Sequence, residues 1–412
     1  MSMTETTPTA LGDRIETLDV VRGFALFGIL LMNIVGMGFP FGAYFNPAAL
    51  GPPSQADFTT WFITNTFFEG SMRTLFSMLF GAGFLLFLER QEARGAGIMG
   101  AKLYARRAGL LILLGLVNQL VFLWSGDILF TYGIAGMFLL LFWRSKIRGL
   151  LISALVLFAA LAFFDVTSAM RFSGMEHAYD AAMAARNAHS TLTDEQRAAI
   201  SNWESSVDFF APTKAKIDEA ISTERHGWAA VAADNYGSLF STPLGLFTFI
   251  SLFDSLAAMI LGMIAFRLGL LQGKWSLGAV LALTIISFAV GIPVNLRETY
   301  LVINSGYTVH GFFTALYTYD LGRVSLAGGW LGVVLLICKA PWLKWLRFTV
   351  GSVGRMALSN YLAHSILAAI FFVGLGNFAR LTRSELYLVA LVFWAFNIVF
   401  SLAWLSIFRM GP

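Results

Sequence analysis

A few polar side chains sit inside long apolar runs, and their types and spacing are where chemistry would be sought. Asp254 lies about ten residues into such a run with no neighbour in sequence to neutralise it. An ionisable group at that depth costs roughly 2.5–3.5 kcal/mol, so it is the first candidate for a functional acid. Asn360 and His364 are four apart and share a helix face; histidine titrates near neutrality and suits proton transfer. Asn33 is the one amide in the run from Val20 to Phe41. It follows Arg22 by eleven residues, about 16 Å along a helix axis, which predicts a position near mid-bilayer. Glu69 and Arg73 are four apart, and Asp320 and Arg323 three apart; both pairs read most simply as intrahelical salt bridges. Asp127 and His310 fall near the same surface as Glu69 and Arg73, which makes these four, with Asn360, candidates for substrate contact. The plainer readings stand beside these: a satisfied core histidine, and asparagines that join helices for about 0.6 kcal/mol each.

The elements that must position these groups follow from composition. Hydrophobic residues make up 57% of the 412-residue chain and charged ones 13%, with a mean hydropathy of +0.71. Repeated apolar runs of spanning length predict an all-α, polytopic transmembrane bundle. Ten spans are expected, near 18–39, 72–88, 108–124, 128–143, 149–165, 244–266, 276–294, 310–338 (broken around Asp320), 356–375 and 386–408. Short segments on one side hold seventeen Lys/Arg and those on the other three, Arg297, Arg380 and Arg383. That asymmetry puts both termini in the cytoplasm. Residues 1–12 read as a flexible polar tail and Asp57–Gly70 as an interfacial helix. The chain then divides into a membrane half over 1–165, an extracytoplasmic acidic helical loop over 166–243, and a second membrane half over 244–412. The loop carries ten acidic and six basic residues and a capping-box pattern at Thr193–Gln196.

Several classes are set aside. No nucleic-acid motif or clustered basic arm occurs. The single cysteine, Cys338, excludes an intrachain disulfide and has no partner for a metal cluster, so no metal is expected. No cleavable signal peptide is evident, because charges open the first apolar run.

Four stretches carry a family resemblance: L-D-V-V-R-G (18–23), F-S-M-L-F-G-A-G (76–83), R-R followed by G-D-I-L (106–129), and G-R-M-A-L-S-N-Y-L (354–362). The first resembles the opening membrane helix of the transmembrane acyltransferases, and Asn33 matches the asparagine of the heparan-alpha-glucosaminide N-acetyltransferase branch. The whole resembles the YeiB-like family of bacterial membrane proteins. Departures are visible. The N-acetyltransferase branch has a catalytic His about eleven residues after that asparagine, where this chain has Tyr44. YeiB-like sequences commonly show His at Asn118 and Gln at His364. They also continue past the F-R-M-G-P at which this chain stops, so a truncated C-terminus is expected.

The resemblance implies a multi-pass protein of the bacterial cytoplasmic (inner) membrane that takes an acyl group from cytoplasmic acyl-CoA. The acceptor would be a hydroxyl or amine of a small molecule, glycan or lipid at the outer side. Arg22, Arg106, Arg107 and Arg355 would meet the CoA phosphates, Asn33 the thioester carbonyl, and His364 or Asp254 the acceptor's proton. Positive-inside topology alone also accounts for those arginines. The alternatives are a transporter or channel using Asp254 and His364 at the midplane, and a non-catalytic lipid-binding relative. Membrane lipid is the expected partner, no nucleic acid is, and the Gly-rich second span permits a homodimer.

Overall fold

The computed structural model describes residues 15–207, 210–239 and 242–412; the polar tail and Arg14 lie outside these. Helix α1 (Glu16–Gly38) stops where Phe39 turns extended ahead of Pro40, since the residue before a proline is driven out of the α region. After the one-turn α2 (Gly42–Phe45), Ser54 caps α3 (Gln55–Phe67) by accepting from the Asp57 amide at 3.1 Å. Gly70 then takes φ +63° and opens α4 (Ser71–Ala93). Helices α5 (Ile98–Leu120) and α6 (Leu129–Leu139) form a hairpin through an Asp127 turn. Helix α7 (Ile147–Asn187) runs 41 residues, about 62 Å, twice the hydrocarbon thickness. It continues unbroken through position 165, where the sequence suggested a span end.

Three shorter helices follow, α8 (Asp194–Val207), α9 (Lys214–Arg225) and α10 (Trp228–Ser238). The expected capping box is present: the Gln196 amide donates to Thr193 Oγ1 at 3.2 Å and the Thr193 amide to Gln196 Oε1 at 3.0 Å. The chain returns through α11 (Thr242–Arg267), α12 (Leu277–Asn304) and α13 (Val309–Ala315). A 3-10 turn over Leu316–Thr318 leads into α14 (Tyr319–Lys339), which is the break expected around Asp320. Amphipathic α15 (Lys344–Arg355), α16 (Ala357–Ala368) with a π-turn to Gly374, and α17 (Arg383–Ile407) complete the chain. Among the described residues all regular structure is helical, and eight helices are long and apolar enough to cross a membrane. The segment expected as span 4 is helical over only the eleven residues of α6, about 16 Å.

Glycine sets the closest helix approaches. A Cβ at Gly81 or Gly262 would run into the Met259 or Met78 carbonyl, so α4 and α11 touch backbone to backbone, a packing that membranes favour where side chains are small. Gly23 and Gly354 do the same for α1 and α15. Gly291, Gly322, Gly329 and Gly332 let α12 and α14 lie antiparallel. Helix α1 packs between the α4–α14 side and the α15–α17 side. The α1 start and the chain end meet at one face, where Arg347 pairs with Glu16 at 3.4 Å and Arg355 donates to the Arg409 carbonyl; we call this the terminal face.

Helices α8–α10 fold over the opposite, loop face. Arg225 donates to the Phe378 carbonyl at 3.1 and 3.2 Å, and Asn235 to Gln119 at 2.9 Å. Phe210 lies among Phe45, Phe312 and Phe313 with ring centroids 5.1–5.8 Å apart.

Candidate functional site

The α4–α11 contact fixes more than a crossing. Arg73 precedes Gly81 by eight residues, and Asp254 precedes Gly262 by eight. Two parallel helices touching at those glycines therefore bring Arg73 and Asp254 to one level, and they form a salt bridge. Arg323 of α14 reaches the other oxygen of Asp254. It also holds Asp320 at 2.5 Å and donates to Thr74 Oγ1 at 3.0 Å. Arg323 is 1% exposed and Asp254 6%. Such a group of charges is tolerable in a low-dielectric interior only because each has an oppositely charged partner. Asp254 is thus not the lone acid suggested by its sequence neighbourhood. It is the carboxylate shared by two guanidiniums.

Glu69 and Arg73 do not form the intrahelical pair their spacing suggested. Gly70 breaks the helix between them, so Glu69 lies before α4 begins. Arg73 turns to Asp254, and the Tyr319 hydroxyl bridges the two, accepting from Arg73 Nη2 at 3.3 Å and donating to Glu69 Oε1 at 3.2 Å. Gly70 is needed twice: for its left-handed φ, and because a Cβ would sit 2.6 Å from the Tyr319 hydroxyl.

Above this network lies a narrow cleft, open on one side, whose closed part has room for about one water (about 10 Å³). Met32 and Val35 of α1 and Trp61 of α3 form its apolar walls, and Tyr44, Thr64, Asn65, Glu69, Arg383 and Tyr387 bring polar groups to it. Tyr319 is the one hydrogen-bond partner of the Glu69 side chain among the described residues. Burial, and after it the Glu69 carboxylate, push the Tyr44 hydroxyl well above its ordinary range, which keeps it a proton donor. Arg383 opens α17 within the Thr382–Glu385 capping box. The residue is 5% exposed, and its guanidinium donates to the Ala43 carbonyl and the Tyr387 hydroxyl but forms no salt bridge among the described residues. The nearby Asp57 carboxylate is taken up by the Ser384 amide and hydroxyl at 2.8 and 2.9 Å and by Ser54 at 2.8 Å.

The other expected site residues fall elsewhere. Asn33 is half-buried, has no hydrogen-bond partner among the described residues, and lies five residues before the end of α1, nearer the loop face than mid-helix. His364 is 2% exposed and meets Asn397 of α17, while Asn360 donates to Ser401 at 2.8 Å and to the Val353 carbonyl at 3.0 Å. Both therefore join α16 to neighbouring helices, and α1 stands between His364 and Asp254. Asp127 accepts from Asn118 at 2.7 Å, from the Phe130 amide at 2.9 Å and from Tyr361 at 3.3 Å, so it caps α6. Burial holds its carboxyl up at about 6. His310 meets Glu176 of α7 at 3.1 Å on the surface. Arg22 pairs with Asp19 at 3.1 Å, Arg106 is exposed, and Arg107 lies over Phe87 at 4.8 Å. Arg355, as noted, holds the chain end.

Sequence reasoning missed Arg383, Tyr319 and Tyr387. A signal for the first existed: Arg383 is one of three basic residues on the side where such residues are rare, and an exception to that bias asks for a reason.

Residues 265–412 match the family described as "Protein of unknown function (DUF418)". The chain is 28% identical over 406 residues to the uncharacterized protein YeiB of Escherichia coli K12, spanning 97% of this chain and 94% of that protein. It is 29% identical over 430 residues to the uncharacterized protein YxaH of Bacillus subtilis 168, spanning 100% and 94%. An uncharacterized 39.9 kDa protein from the amylase 3' region of Bacillus acidopullulyticus is 37% identical over 139 residues, 34% of this chain and 37% of its own. No solved structure matches the chain.

Proposed function

We propose that this YeiB-like membrane protein is an acyltransferase of the bacterial cytoplasmic membrane, with its terminal face in the cytoplasm and its acceptor site in the loop-face cleft. The observation that carries the reading is Glu69. One carboxylate oxygen is held by Tyr319, and the residue lines a cleft that already offers phenol and guanidinium donors. A carboxylate so placed suits a general base. In the reaction, an acceptor hydroxyl or amine attacks the thioester carbonyl carbon. A C–O or C–N bond forms, the C–S bond breaks, the acceptor's proton passes to Glu69, and CoA leaves as the thiolate. Asn33, whose amide has no partner, would donate to the carbonyl oxygen. Arg22, Arg106, Arg107 and Arg355 would meet the CoA phosphates from the cytoplasmic side. The resemblance of residues 18–33 to the transmembrane acyltransferases, and the excess of basic residues toward the terminal face, support this arrangement.

The test is CoA release from acyl-CoA by the purified protein in lipid nanodiscs, followed with a thiol reagent. Glu69→Gln should lower the rate about 10²–10⁴-fold, and Arg22→Ala should raise the acyl-CoA concentration needed. Absence of CoA release over a panel of hydroxyl and amine acceptors would refute the reading. A second reading, transport of a small polar solute through the same cleft, is favoured by the Arg73–Asp254–Arg323 network beneath it, since intramembrane charges commonly mark pathways. Saturable uptake into proteoliposomes without CoA release would select it.

A further inference from the structure

We infer that Arg383 is the anion-recognition group of the cleft, and that the molecule it receives is an aminoalkyl phosphate whose ammonium faces Glu69. The inference rests on reading the cleft as the acceptor site and names what enters it. A buried guanidinium normally has a carboxylate partner, because an unpaired charge in the interior is costly. Arg383 has none among the described residues, and its nearest candidate, Asp57, is saturated by Ser54 and Ser384. An incoming anion would supply the missing charge.

The rest of the cleft selects the kind of anion. One Arg383 nitrogen is committed to the Ala43 carbonyl, which spoils the two-pronged fit that a planar carboxylate prefers. Tyr387 takes a further hydrogen bond from the guanidinium; the hydrogens left over and the Tyr44 hydroxyl border the same cleft and suit the tetrahedral oxygens of a phosphate. Glu69 supplies the opposite charge, so a ligand with both an ammonium and a phosphate satisfies both groups at once. Met32, Val35 and Trp61 line the cleft with apolar surface, against which an attached chain would lie at the open side. The chemistry is that of a phosphoethanolamine group, free or as a lipid headgroup.

Binding to the full chain in detergent tests this, independently of turnover. O-phosphoethanolamine should bind at least tenfold more tightly than ethanolamine or inorganic phosphate by isothermal titration. Equal affinities for the three, or no binding of O-phosphoethanolamine, would overturn the proposal, and that comparison needs no variant. Arg383→Gln should reduce the affinity at least tenfold. Glu69→Gln should bring it down to that of glycerol phosphate, which lacks the amine; a Glu69→Gln protein that still prefers the amine overturns the assignment. Dihexanoyl phosphatidylethanolamine binding more tightly than O-phosphoethanolamine identifies a lipid source, and equal binding a free one. Intact binding without CoA release would refute the transfer reaction while leaving this recognition in place.

Discussion

Replacing Asp254 by alanine removes the carboxylate that neutralises two guanidiniums at once. In the native protein Arg73, Arg323, Asp254 and Asp320 sum to zero, and each arginine is held by at least one acid. After the substitution Arg323 keeps Asp320 at 2.5 Å and Thr74 at 3.0 Å. Arg73 keeps the Tyr319 hydroxyl at 3.3 Å, the charge of Glu69 beyond it and a side chain 32% exposed. Breaking one side of a buried ion pair costs about 3–5 kcal/mol. The partial exposure of Arg73 argues for the lower end, about 3 kcal/mol. Removing the stranded charge should return much of this, so Asp254→Ala combined with Arg73→Met should be more stable than Asp254→Ala alone. Unfolding in mixed micelles, followed by helical circular dichroism as sodium dodecyl sulfate is titrated, measures both. A loss under about 1 kcal/mol for the single variant, or simple additivity in the double, would refute the reasoning, since contacting charges must couple.

Gly81→Ala and Gly262→Ala should each cost 2 kcal/mol or more in the same titration, because the new methyl meets backbone that cannot move aside. Gly237→Ala, with nothing within 4 Å of the added carbon, should instead stabilise α10 by about 0.5–1 kcal/mol. His364→Gln should change stability by less than about 1 kcal/mol and leave CoA release unaltered, since the amide can still meet Asn397; a large loss of turnover would reinstate the histidine as a base. Glu224 on α9 is held up at about 7 by burial and then by the charge of Asp234. The folded protein therefore binds its proton more tightly than the unfolded chain. The resulting stability is fully present below about pH 4.5 and is lost as pH rises through about 7. The change should be about 1–3 kcal/mol after allowance for partial exposure. Hydrogen exchange of α9 and α10 reads it, and Glu224→Gln should flatten the slope.

What could be read from the sequence was local. Apolar length announces a membrane helix, the Thr193 and Gln196 spacing announces a cap, and Asp320 and Arg323 three apart announce a pair, because one helix turn supplies the geometry. The same rule failed for Glu69 and Arg73, where Gly70 at φ +63° ends the turn that would have joined them. The partner Arg73 takes is 181 residues away, and no periodicity encodes which helices will lie side by side. Asn33 illustrates a further limit. Counting from Arg22 gives its distance along the helix, and α1 ends five residues later, but neither count says which neighbours the amide meets. Arg383 was counted as a loop charge, although a cation at the start of an apolar run can fold inward as easily as outward.

The equal eight-residue intervals on α4 and α11 act as matched notches on two rods. Sliding one rod by a single residue would rotate it by about 100°, so the glycines and the charges would come out of alignment together. Nature can therefore lengthen this chain between helices, but a residue added inside either interval should leave a bundle that no longer closes.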